Sequence, residues 1–158
     1  MPKISENGGV RARPFPPGPD ELKWLEQGLR TVGFFSKLGR SQLGAVLPFM
    51  LMVECPKGFK ICEEGGPGDG FYLIYKGKVS ITKKGWTKPV AVLEEGEFFG
   101  EMALLFGQPR TATATTSDAT QLFCLSAEDF QRMVQQHPEM ARSIKRIAEA
   151  RRLELAHA

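Results

Sequence analysis

Apolar residues recur along this chain with two different periods, and the change of period divides it. Leu22, Leu25, Leu29 and Val32 fall at helical spacing, with Trp24 and Phe35 adding bulk nearby. The pattern predicts a helix opening at Asp20, a suitable N-cap, and ending at the break of Gly33. A second, shorter helix is expected from Ser41 to about Leu47. From Leu51 to Leu125 the character changes. Strand-like runs such as "FYLIY" and "KVSIT" are cut by turns at 56–58 (PKG), 65–70 (GGPGDG), 76–77 (KG), 83–85 (KKG) and 94–97 (EEGE). Short strands with frequent glycine turns predict a β-sandwich, roll or barrel, closed by the run "TQLFCLS". Helical signals then return. "SAED" at 126–129 reads as a capping box opening a helix through Gln136. Pro138 restarts the chain as another helix, which runs close to the C-terminus. Helices, a β-unit and helices again make the fold class α+β.

Residues 1–19 hold five prolines and three glycines without periodicity, and read as a disordered tail or linker. The expected organisation is therefore this tail, N-terminal helices over 20–50, a β-unit over 51–126 and C-terminal helices over 127–158. A length of 158 residues suits one domain with short appendages. The net charge of +3 comes without a long basic block, so nucleic acid is not an expected partner. Cys55, Cys62 and Cys124 form no C-x-x-C pair and read as reduced core thiols. The N-terminus lacks a signal-peptide h-region. The longest apolar run, Leu43 to Val53, is about half a membrane span and contains Pro48. A cytoplasmic chain without a span of its own is the expectation.

One stretch does not read as ordinary core: "FGEMALLFGQPRTATATT" at 99–116. Gly100 permits a turn that a side chain would hinder. "EMALLF" favours a single helical turn, whose free N–H groups suit an anion. Arg110 follows beyond Gly107 and Pro109, which can fold the chain back, and a guanidinium there suits a phosphate. Glu101 would repel that phosphate unless the ligand also offers hydroxyl donors, as a ribose does. Alternating Thr and Ala from 111 suit a strand with a small-residue face beside something bulky. Taken singly, these residues also fit a helix-dipole acid, a surface arginine and a half-exposed strand, and spacing alone does not choose.

The stretch closely resembles the phosphate-binding cassette of cyclic nucleotide-binding domains. That module is shared by cyclic-nucleotide-gated channels, kinase regulatory subunits and catabolite activator proteins, and the likeness is nearest to the bacterial potassium-channel domains. The family pattern is met at Phe99, Gly100, Glu101, Ala103, Leu104, Leu105, Pro109, Arg110, Thr111 and Ala112. A second family pattern is met upstream at Ile61, Glu64, Gly65, Gly68, Asp69, Tyr72, Ile74, Gly77 and Val79. The resemblance covers about residues 34 to 156. It implies an antiparallel β-roll of the jelly-roll type, flanked by N-terminal helices and a C-terminal helix pair. It also implies a non-enzymatic regulatory domain whose ligand is cAMP, or cGMP, with no cofactor or metal. Within the cassette, 99–112, it implies a site of Phe99, Gly100, Glu101, Met102, Ala103, Leu104, Arg110, Thr111 and Ala112. Arg110 would pair with the cyclic phosphate. Backbone amides of Ala103 and near Thr111 would complete the cradle, and Glu101 would accept the ribose 2′-hydroxyl. Ile81, Ala91 and Leu93 would form the apolar side of the base pocket.

Met140, Ile144, Ile147 and Leu155 share one stripe of the last helix, and Arg151 interrupts it. A charge in an apolar stripe either snorkels to solvent or has a partner. The resemblance implies that Arg151 lies over the purine, with Leu155 adding an apolar contact, so that this helix acts as a lid. Other classes fit less well. A cupin-type enzyme needs histidines on its strands, and His137 and His157 lie outside the β-region. A transcription factor needs a helix-turn-helix after the last helix. An interaction module with a non-functional pocket is the alternative within the same fold. The effector, another domain or a partner protein such as a channel, is not named by the sequence.

Overall fold

The computed structural model describes residues 14–156. Helix α1 spans Pro19–Leu29 and α2 spans Arg40–Val46, joined through a 3-10 turn at Gly33–Lys37. Eight strands follow: β1 Leu51–Cys55, β2 Lys60–Cys62, β3 Gly70–Lys76, β4 Val79–Thr82, β5 Ala91–Leu93, β6 Phe98–Phe99, β7 Thr113–Thr116 and β8 Thr120–Ser126. The short helix α3, Glu101–Phe106, interrupts them between β6 and β7. Helices α4, Ala127–Gln136, and α5, Pro138–Ala156, complete the chain. The strands form two four-stranded antiparallel sheets, ordered β1-β8-β3-β6 and β2-β7-β4-β5. This is the expected α+β fold, an antiparallel β-sandwich with flanking helices.

The first sheet is buried on both faces. Phe71, Leu73, Phe123 and Leu125 join the helices in one core, while the alternating Tyr72, Ile74, Leu122 and Cys124 meet the second sheet in another. That is why "FYLIY" and "LFCL" read as unbroken apolar runs. On the helix side, Trp24 stacks on Phe123 at 5.7 Å and Phe35 meets Phe71 edge-on at 4.9 Å. The second sheet has one wet face. In β7, Ala114 and Thr116 turn inward while Thr113 and Thr115 lie half-exposed. Each of the expected turns holds one glycine of positive φ: Gly58, Gly65, Gly77, Gly85 and Gly96.

Two helix starts differ from expectation. The N-cap of α1 is Gly18, with Pro19 at the first helical position. The fixed φ of proline sets the start there. Asp20 is therefore inside the first turn, where with Glu21 it favours the helix dipole. Helix α2 likewise begins before Ser41, and the Gln42 side chain accepts the Gly39 N–H at 2.9 Å. Residues 1–13 of the expected tail lie outside the described residues. Phe15, within the same 1–19 span, makes a two-bond antiparallel bridge with Met52. β1 is the edge of its sheet, so the backbone groups of Met52 that face away from β8 can take this bridge. Ser126 caps α4 as expected, its hydroxyl accepting the Asp129 N–H at 3.0 Å.

All three cysteines are free and buried. Burial pushes the Cys55 and Cys124 thiols from 9.0 up to about 12. Above pH 9.0 the unfolded chain releases protons that the native state keeps, so this stabilisation is complete below pH 9.0 and is lost as pH rises toward 12. The slope is up to about 1.4 kcal/mol per pH unit for each thiol. Urea unfolding at about pH 8 and about pH 10.5 should show the loss, and a Cys55→Ala/Cys124→Ala variant should show a shallower one. An equal loss in the variant would mean the thiols do not carry it.

Candidate functional site

The cassette folds as a turn, a helix and a return. Phe99 ends β6 and stacks on Tyr72 at 5.1 Å. Gly100 then takes φ +88, and a methyl there would overlap the Gly70 carbonyl and Arg110 Nη1. Only glycine lets these three segments approach so closely. Glu101 opens α3, and Leu104, three residues on, is buried in the helix-side core. Gly107 to Pro109 carry the chain back toward β7.

Arg110 is the centre of this arrangement. Its side chain is 6% exposed. Nη2 donates to the Gly70 carbonyl at 2.5 Å and to Asp69 Oδ1 at 3.3 Å. The guanidinium lies over the Tyr72 ring, 5.6 Å from its centroid. Its backbone is fixed too: the Arg110 N–H donates to Gly66 and its carbonyl accepts from Gly65, at 2.9 and 2.8 Å. "GGPGDG" is thus a turn, as its composition suggests, and also the clamp that holds the arginine. Arg110 Nε remains buried without a partner, as does the Tyr72 hydroxyl. A buried, unpaired donor is costly, and an anion meeting this arginine would remove that cost. Burial foremost, then the Asp69 charge, holds the Tyr72 phenol well above its ordinary value.

Arg110 and Glu101 line one cleft of about 340 Å3. That volume falls within the range of roughly 300–1,000 Å3 usual for small-molecule sites. Among the described residues lining it there is one base and one acid. Phe99, Gly100, Thr111 and Ala112 join them from the cassette, with Ile81, Cys62 and Ala114 from the second sheet. Small Ala114 leaves room beside Arg110, which gives the Thr/Ala alternation its use. Burial raises the Cys62 thiol, partly opposed by Arg110. Glu101 is 4% exposed, and its carboxylate packs so closely on Gly33 that a methyl there would collide with it.

Three expected site residues are placed elsewhere. Leu104 faces the core because the apolar side of α3 packs on the helices. Ala91 and Leu93 pair with Ile81 and Val79 on β5 and are not among the cleft-lining residues. Edge strand β5 is set beyond β4, leaving Ile81 as the apolar contact. The side chains of Met102, Ala103, Arg151 and Leu155 lie outside the described residues. Asp69 and Gly70, which position Arg110, were marked by the upstream family pattern at Asp69 alone. Cys62 and Phe98, which also lines the cleft, carried no site signal of their own, whereas Ala114 belongs to the small-residue alternation.

The family model described as "Cyclic nucleotide-binding domain" matches residues 52–137. A cyclic nucleotide-gated potassium channel of Mesorhizobium japonicum is 36% identical over 77% of this chain and 33% of its own length. The chain thus spans about a third of the length of the curated channels it matches. The N-terminal domain of a transcriptional regulator from Streptomyces coelicolor superposes with a TM-score of 0.71 and 32% identity, covering 82% of this chain and 92% of that one. A cAMP-bound PfPKA-R structure superposes with a TM-score of 0.69 and 26% identity, over 82% and 47% of the respective chains. With more than half of its length inside the family match, this protein belongs to the cyclic nucleotide-binding domain family.

Proposed function

We propose that the cleft binds cAMP, with the phosphate on Arg110 and the ribose 2′-hydroxyl on Glu101, and that occupancy regulates an effector. The carrying observation is the pairing of one buried arginine, with an unpartnered Nε, and one buried carboxylate in a single cleft. An anion at one end and hydroxyl donors at the other are what a sugar phosphate offers. The cAMP-bound relative supports the choice of base. Thr111, exposed at the cleft, has a hydroxyl that could meet the amino group of syn-guanine, so cGMP is the competitor.

Regulation works by population shift: ligand favours the state in which α5 closes on the cleft, with Arg151 and Leu155 against the base. The contact of α3 with α4 and α5 supports this route. Among the described residues no helix is long and apolar enough to cross a membrane. The effector is a further domain or a partner chain, and the working compartment is the cytoplasm.

Calorimetric titration of ligand-stripped protein with cAMP and cGMP tests the reading. Heat with neither nucleotide would leave the interaction module as the better account. Glu101→Gln should weaken cAMP binding by about 1.5–3 kcal/mol, the worth of a hydrogen bond to a charged group. It should also narrow the preference for cAMP over its 2′-deoxy analogue, and an unchanged preference refutes the ribose assignment.

A further inference from the structure

The β4–β5 hairpin carries an exposed apolar and basic surface that the nucleotide site does not use. Trp86 is 64% exposed, and Val92 and Val90 are 49% and 44% exposed. Trp86 sits on a turn closed by its N–H to the Lys83 carbonyl, and every residue from 83 to 90 is exposed. Lys83, Lys84 and Lys88 surround it, and no Asp or Glu occurs from Thr82 to Leu93. Glu64 reaches the hairpin from outside it, its carboxylate accepting the Lys84 backbone N–H at 3.0 Å. At the other end of the hairpin, Lys78 and Glu94 pair at 3.7 Å. Strand β5 is the edge of its sheet, so the surface is open beyond it.

We infer that this hairpin docks on an anionic lipid surface. An indole prefers the boundary between headgroups and acyl chains, where its body is apolar and its N–H stays wet. Val90 and Val92 would follow it to shallow depth. The three lysines can lay their stems along the apolar surface and raise their ammonium groups to acidic headgroups. Duplex nucleic acid fits less well. Three lysines neutralise few phosphates, and two valines offer no hydrogen bond to a base edge.

The test mixes the full chain with vesicles of phosphatidylcholine, alone or with about one third phosphatidylserine. Sedimentation and tryptophan emission are read together. Trp24 is half-buried and stacked on Phe123, and the Trp86→Ser variant shows which indole a blue shift reports. The expected result is salt-sensitive binding to the serine-lipid vesicles with a blue shift, and weak or no binding to phosphatidylcholine. Trp86→Ser should abolish the shift and weaken binding about tenfold or more. Lys83→Gln, Lys84→Gln and Lys88→Gln together should weaken it roughly a hundredfold. Circular dichroism of each variant confirms that it is folded. The inference is overturned if the folded wild type stays in the supernatant with acidic vesicles. Variants that bind like the wild type, or tighter retention by duplex DNA than by these vesicles, overturn it as well.

Discussion

Arg110→Ala should weaken cyclic nucleotide binding by roughly two to three and a half orders of magnitude. Losing one partner of a buried ion pair costs about 3–5 kcal/mol, because the other charge is left uncompensated, and each 1.4 kcal/mol is tenfold. Among the described residues lining the cleft Arg110 is the one base, so none of them takes its place. The ligand-free protein should respond differently. Asp69, the ion-pair partner, has a side chain 31% exposed and can be solvated. The unpartnered Nε disappears with the mutation, offsetting the lost bond to Gly70. Apo stability should therefore fall by about 1 kcal/mol or less. Arg110→Lys should recover only part of the affinity, because lysine keeps the charge without the planar fork. Calorimetry and unfolding on the same preparations measure both properties. Near-normal binding by Arg110→Ala would sink the phosphate assignment.

Gly100→Ala is expected to cost about 2–5 kcal/mol of stability. Positive φ accounts for roughly 1–2 kcal/mol in a residue with a Cβ. Overlap with the Gly70 carbonyl and Arg110 Nη1 adds a displacement cost of about 1–3 kcal/mol. Gly107 supplies the control. Its φ is +61, yet a methyl there meets nothing within 4 Å. Gly107→Ala should show the strain alone, and denaturant midpoints of the two variants separate the terms. Nucleotide affinity should fall in Gly100→Ala, because the arginine beneath it is pushed aside. If Gly100→Ala is no less stable than Gly107→Ala, the close approach at the cassette is not as described.

The fold was readable wherever a signal is local. Glycine turns, the Ser126 cap and Pro138 each act within one turn of chain. The uniformly apolar strands also showed themselves, although only the structure explains them as a wall buried on both faces. The helix starts slipped because Pro19, one residue before Asp20, sets the first turn of α1. At the site, Glu101 and Arg110 were visible through a family pattern of residue types, not through periodicity. What holds Arg110 was less visible. Asp69 and Gly70 are about forty residues away in sequence, and their contact leaves no periodic trace. The direction of the Leu104 side chain was hidden for a related reason. A residue in a six-residue helix can face ligand or core, and packing against β3, α4 and α5 decides it. Ala91 and Leu93 depended on how far β5 reaches, which the loop between the strands obscures.

The two sheets differ in how much change they can absorb. In β3 and β8 most positions are buried, on both faces, so substitutions there meet packed atoms whichever way the side chain points. The second sheet keeps a wet side and gives the cleft Cys62, Ile81 and Ala114. Variation in ligand preference can therefore accumulate on that sheet, one side chain at a time, while the doubly buried wall keeps its composition and the arginine keeps its seat.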